Sequence, residues 1–200
     1  MRNGIAVGFM CLFSTASFAS TNSASSIGLK VGVSDVTFTA LNEKKSSSGI
    51  EYGIDYTWLN YFYKNVSLGL NLTASRFENQ LYGNEQSDHS AVIVSPIISY
   101  RFLTVSPEFL GVKHLRFHDG LSVYFKIGLG YAKSKIANTN ISMEESGAVG
   151  SFGAGFKFQT TGHWAFAIEY NQIDNKLWGM GSRDYGISNS SLLGSLSYRF

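Results

Sequence analysis

Cysteine is almost missing from this sequence: Cys11 is the only one in 200 residues. It falls inside an N-terminal stretch with the layout of an export leader. Arg2 gives a positive start, residues 5–13 form an apolar core, and Ser17 and Ala19 put small side chains where a signal peptidase reads. Cleavage is expected after Ala19, so residues 1–19 are a signal peptide and residues 20–200 the exported domain. Lipid attachment at Cys11 is disfavoured, because Met10 precedes it and the apolar stretch before it is short. An exported chain without cysteine excludes a disulfide scaffold, thiol catalysis and cysteine-ligated zinc.

Charge is also scarce. Charged residues make up 15% of the chain, against ~25% in an ordinary globular protein. The formal net charge of +2 does not suggest the clustered basic stripe of a nucleic-acid binder. No apolar run approaches the ~18 residues a membrane-crossing helix needs. Proline occurs only twice. The abundant residues are 15 Phe, 11 Tyr, 3 Trp and 21 Gly.

Those residues are arranged with a period of two. Residues 27–34, 50–58, 66–75, 92–102, 121–132, 151–158, 164–170 and 192–200 each alternate apolar and polar side chains, which predicts strands with two unlike faces. In the second segment Ile50, Tyr52, Ile54, Tyr56 and Trp58 oppose Glu51, Gly53, Asp55 and Thr57. The first strand is expected to continue to Ala40 after a register change near Asp35, as a bulge would give. Polar connections are expected at 40–48, 76–90, 133–145 and 171–186, and short ones at 59–65 and 159–163. Long and short connections alternate, as in an up-and-down barrel with external loops and periplasmic turns. The segment 103–120 is longer than that scheme requires.

Period alone does not say which face points outward. Two observations place the apolar face outside. The polar face carries Lys30, Glu51, Asp55, Arg101, Lys126, Lys157, Glu169 and Arg199. An apolar ligand cavity could not hold these charges, whereas a narrow barrel can pair them in its interior. The expected mid-barrel pairing is Lys126 with Glu51 or Glu169. Nearer the other end, Asp55 is expected to pair with Arg101, Lys157 or Arg199. Aromatic residues, moreover, gather at the strand ends. Trp58, Tyr100, Phe102, Phe158 and Trp164 fall at the end with the short turns, as in the aromatic girdle of a membrane barrel.

The last residues, Leu196-Ser197-Tyr198-Arg199-Phe200, resemble the terminal insertion signal of outer-membrane barrels. Tyr124-Phe125-Lys126-Ile127-Gly128-Leu129-Gly130-Tyr131-Ala132 resembles a mid-barrel strand of the small OmpA/OmpX-type barrels. The resemblance covers most of residues 26–200 and extends to the accessory colonisation factor A proteins. It implies an all-β, eight-stranded antiparallel transmembrane barrel in a Gram-negative outer membrane. It also implies contact with outer-membrane lipid and lipopolysaccharide, and insertion by the barrel-assembly machinery through Leu196, Tyr198 and Phe200. No peptidoglycan-binding domain follows Phe200 here, so wall anchoring is not expected.

Other motifs carry less. Gly128, Gly130, Gly153 and Gly155 share the inward face, where they would make room for a large neighbour such as Tyr124. Asp88-His89-Ser90 spells a hydrolase triad, but strand neighbours point apart and cannot assemble one. His114 and His118 could share a helix face as zinc ligands do, yet no third ligand is evident. His163 fits a polar turn. A lipid A deacylase of the same superfamily would place a His-x-Ser pair at an outer strand end, and none is found. No catalytic residue, metal or cofactor is therefore assigned. The expected role is structural or surface-interacting, with loops meeting a host, phage or cell-surface ligand; Trp178-Gly179-Met180-Gly181 is a candidate contact tip. The alternatives are a narrow pore for small solutes and a lipid A-modifying enzyme.

Overall fold

The alternating segments form eight strands: β1 (Ser23–Ala40), β2 (Glu43–Tyr63), β3 (Val66–Leu81), β4 (Glu85–Leu103), β5 (Gly120–Asn138), β6 (Ile141–Gln159), β7 (Trp164–Asp174) and β8 (Tyr185–Arg199). The computed structural model describes residues 23–40, 43–63, 65–81, 85–103, 120–138, 141–159, 163–174 and 185–200. The expected leader, His114, His118 and the Trp178–Gly181 stretch lie outside the described residues. Each strand pairs antiparallel with the next, and β8 pairs with β1 from Ser26↔Arg199 to Ala40↔Tyr185, closing the barrel. Closure leaves no strand edge, the condition for placing β-structure in hydrocarbon. Gly120, at φ 72, supplies the left-handed conformation with which β5 begins.

Two expectations about strand ends are corrected. The segments 40–48, 76–90 and 133–145 are mostly strand: β2 begins at Glu43, β3 and β4 reach Leu81 and Glu85, and β5 and β6 reach Asn138 and Ile141. The 171–186 connection is shortened as well, by β7 running to Asp174 and β8 starting at Tyr185. Nor does a bulge occur near Asp35, since β1 keeps register with both neighbours from Ser26 to Ala40. The described irregularities lie between Tyr61 and Tyr63 and between Arg101 and Leu103.

Both corrections have one physical cause. The barrel has two zones of opposite polarity. In the zone nearer the chain termini, the outward side chains are apolar: Leu29, Val31 and Val33 on β1 and Phe125, Ile127 and Leu129 on β5 are exposed. Their inward neighbours, such as Lys30, Asn71, Lys126 and Glu169, are polar and buried. Farther along, the pattern inverts while the backbone continues. Asp35 and Arg76 face outward and are exposed, whereas Val36 and Phe77 face inward and are fully buried. Lys133 and Gln172 likewise face outward beside buried Ala132 and Ile173. A strand needs only ~9–11 residues to cross a bilayer, and β2 has 21. The surplus stands in water, where a strand turns its apolar side chains inward.

This crown has its own apolar filling. Ala91, Ile93, Ala132, Val149 and Ile173 form one buried cluster, and Val36 and Phe77 a second. At the opposite end, Trp164 packs edge-on against Tyr198 and His163 stacks on the same ring, with centroids 5.2 Å apart in both pairs.

Candidate functional site

The barrel interior holds the residues that could carry function. Glu169 on β7 sits at its centre. Its Oε1 lies 2.8 Å from Lys126 Nζ and 3.3 Å from Lys30 Nζ. Its Oε2 accepts a 2.7 Å hydrogen bond from the Tyr124 hydroxyl. Lys126 also donates to Asn71 Oδ1 at 3.4 Å. Residues from β1, β3, β5 and β7 thus meet across the interior. All five side chains are buried.

Glycines set the space for this layer. A Cβ on Gly153 would stand 2.5 Å from Lys126 Cε, and one on Gly155 would stand 2.8 Å from the Tyr124 ring and 2.5 Å from the Ile168 carbonyl oxygen. The lysine stem and the tyrosine ring occupy the volume those side chains would take. Gly128 is equally confined, with the Ser95 hydroxyl 2.2 Å from its absent Cβ.

The other charged candidates take separate places. Asp55 Oδ2 accepts from Thr57 at 3.1 Å and from Asn71 at 3.2 Å. Arg101, Lys157 and Arg199 are half-buried on the inner face, near the end where the chain termini lie, and each is engaged. Glu51 belongs to the upper part of the interior. Its Oε2 accepts from Asn189 Nδ2 at 3.0 Å, and Asn189 Oδ1 accepts in turn from Ser34. Beside it, His89 Nδ1 lies 2.6 Å from the Ser134 hydroxyl.

Asp88, His89 and Ser90 part as strand geometry requires. Asp88 and Ser90 face outward and His89 inward. Asp88 pairs with Arg76 at 2.8 Å, and Arg76 also meets Glu78 at 2.9 Å, all three being exposed on the outer rim. Tyr52, at the edge of the apolar belt, donates to Glu78 at 3.0 Å. Trp58 is half-buried, while Tyr100, Phe102, Phe158, Trp164, Leu196, Tyr198 and Phe200 are exposed on the outer surface.

Reasoning from charge alone misses Tyr124, Asn71, Asn189 and the His89–Ser134 pair. Inward parity was the available signal for each, but uncharged polar residues in a strand do not announce their partners. His89 and Ser134 are 45 positions apart, and only the strand register brings them together.

A β-barrel with an apolar outer belt and a polar interior has known counterparts. Neisserial surface protein A matches with a TM-score of 0.56 at 12% identity, over 87% of this chain and 97% of its own. Ail, the attachment invasion locus protein of Yersinia pestis, solved with the heparin analogue sucrose octasulfate, matches at 0.50 and 16%, over 88% and 99%. The N-terminal β-barrel domain of Pseudomonas aeruginosa OprF matches at 0.50 and 13%, over 90% and 98%. At these identities the likeness is one of fold. No curated protein matches the sequence. The model of the outer membrane protein β-barrel domain matches residues 5–200. With the closed barrel and its lipid-facing belt already in view, that match makes this chain a member of the outer membrane protein β-barrel domain family, resident in the outer membrane.

Proposed function

We propose that this protein is a non-enzymatic surface barrel that acts through its extracellular crown. The observation that carries the reading is the pairing of a filled interior with strands that outreach the bilayer. Lys30, Lys126, Glu169 and Tyr124 obstruct the membrane zone, and the crown holds two buried apolar clusters beside the Glu51–Asn189 and His89–Ser134 contacts. A solute path would have to break both layers. The surplus strand length instead carries the strand ends beyond the lipid, where another surface can reach them.

The names of two structural relatives agree with this role. One is a neisserial surface protein, and the other is an attachment invasion locus protein solved with the heparin analogue sucrose octasulfate. We extend the idea of a surface ligand to this chain, with a host or other cell surface as the partner. In the same reading residues 1–19 direct export. Leu196, Tyr198 and Phe200 engage the assembly machinery, and the exposed aromatics anchor the barrel among lipid and lipopolysaccharide. The eight inward charges are structural in this account: they fill and pair the interior rather than conduct.

The test is adhesion. Cells displaying the protein should bind cultured epithelial cells or immobilised heparin several-fold more than cells displaying a variant with residues 79–87 replaced by a two-residue turn. Both proteins should insert equally and leave lipid A masses unchanged. Equal adhesion by the two, across each of the four crown loops shortened in turn, would overturn the reading.

A further inference from the structure

One inward histidine of the crown lacks a full set of partners. His89 on β4 is 1% exposed. Its Nδ1 lies 2.6 Å from the Ser134 hydroxyl, and its Nε2 has no hydrogen-bond partner among the described residues. Strand register fixes its neighbours. Glu51, Phe77, His89 and Ser134 pair in turn across β2, β3, β4 and β5, and all four are buried. Phe77, clustered with Val36, stands between the imidazole and Glu51 on the wall.

Glu51 is the only other titratable group among the described inward side chains of the crown. Its Oε2 accepts from Asn189, and its Oε1 has no hydrogen bond from His89 or any other described residue. On β3, Arg76 and Glu78 face outward, as do Asp88 on β4 itself and Lys133 and Lys135 on β5. On β6, Glu145 is the register partner of Ser134. In a neutral imidazole one nitrogen donates and the other accepts, so the Ser134 hydroxyl can serve either tautomer. In the cation both nitrogens donate. The Nε2 hydrogen then meets no acceptor, and a charge is added beside the Phe77 core, which is costly without a partner.

We propose that His89 makes the crown acid-sensitive: its core stays closed while the imidazole is neutral and loosens locally once a mildly acidic medium protonates the ring. Burial holds the His89 imidazole below its ordinary value, against an upward pull from Glu51 and then Asp88. The closed crown thus favours the neutral ring, whereas an opened crown lets it take a proton at the ordinary pKa of ~6.5. Crown stability is complete above that value and falls as the pH drops below it. The device belongs to the crown's core, so it holds whether or not the crown binds another surface.

The experiment follows amide hydrogen exchange in the full exported chain folded in detergent. Rates are compared at pH values of about 7.5 and 5.5, either side of the ordinary histidine value, and corrected for the intrinsic pH dependence of exchange. Residues 85–91 and 132–138 should exchange several-fold faster at the lower pH, with a ceiling of about tenfold because that pH lies one unit below ~6.5. Residues 92–102, in the lipid belt, should be unchanged. His89→Gln can still bond Ser134 but cannot titrate, and should abolish the difference. Combining His114→Gln, His118→Gln and His163→Gln leaves His89 as the only histidine, and this chain should keep the difference in full. Should His89→Gln fail to fold, the single-histidine chain still decides: its imidazole resonance should titrate at lower pH in the folded protein than in urea. Equal or slower crown exchange at the lower pH would overturn the proposal. So would a difference that survives in His89→Gln or vanishes in the single-histidine chain, or an imidazole that titrates as high folded as unfolded.

Discussion

Arg76 and Phe77 are consecutive on β3 and face opposite sides of one wall: the guanidinium is exposed among Glu78 and Asp88, and the phenyl ring is fully buried. A few residues earlier, the same strand turns Leu70 outward and Asn71 inward. Between these pairs the surroundings change from lipid to water. The backbone does not register the change, and the side chains invert.

Phe77 should therefore behave as a core residue of a soluble protein. Phe77→Ala is expected to cost about 3–5 kcal/mol, the usual range for a buried aromatic truncated to alanine. Leu70→Ala, on the lipid face, should cost much less, because lipid can occupy the space. Urea-induced unfolding of both variants in the same lipid vesicles measures the difference. Equal losses would mean that Phe77 does not fill a core.

Glu169 serves two ammonium groups, so its removal and that of one lysine should differ. Glu169→Gln strands Lys30 and Lys126 together, and losing one partner of a buried pair costs about 3–5 kcal/mol. Lys126→Met leaves Glu169 paired with Lys30 and should cost less. Thermal unfolding in detergent, read by loss of β-sheet signal, orders the two. A wild-type melting temperature in Glu169→Gln would remove the charged layer from the account.

The glycines give a contrast within one wall. Gly155→Ala meets the Ile168 carbonyl and the Tyr124 ring, and such overpacking typically costs about 1–3 kcal/mol. Gly194→Ala, on the outer surface, meets only the Val31 carbonyl at 3.7 Å, an ordinary van der Waals contact, and should fold with unchanged stability. Heat-dependent gel mobility separates the two variants.

The rim ion pairs should matter little to stability. Arg76, Glu78 and Asp88 are each about half exposed, and such pairs contribute roughly 0–1 kcal/mol. Asp88→Asn should stay within that range in an unfolding titration, and a larger loss would mark the rim as structural.

How much of this was legible beforehand follows from the same two zones. The eight strands and the inward parity of Lys30, Lys126 and Glu169 follow from a period of two, which lipid enforces strictly. β1 runs to Ala40 as expected, but the polarity inversion at Asp35 and Val36 imitates a bulge, and the same inversion at Arg76 and Lys133 imitates the start of a loop. Lys126 had two acids to choose from, Glu51 and Glu169. Only the stagger of the closed barrel carries Lys126 across to β7 and leaves Glu51 with Asn189. Asn71 and Tyr124 join the layer through geometry that no local pattern encodes.

The inversion itself can be measured along β1. Spin labels placed singly from residue 27 to residue 37, in a background without Cys11, report access to lipid-dissolved oxygen and to a water-soluble relaxer. Positions 27, 29, 31 and 33 should respond to oxygen, positions 35 and 37 to the water-soluble agent, and the even positions from 28 to 36 weakly to both. That switch between 33 and 35, with the alternation unbroken, is the predicted result. Lipid access continuing through 35 and 37, or an alternation that skips a residue near Asp35, would contradict a single strand crossing from lipid into water.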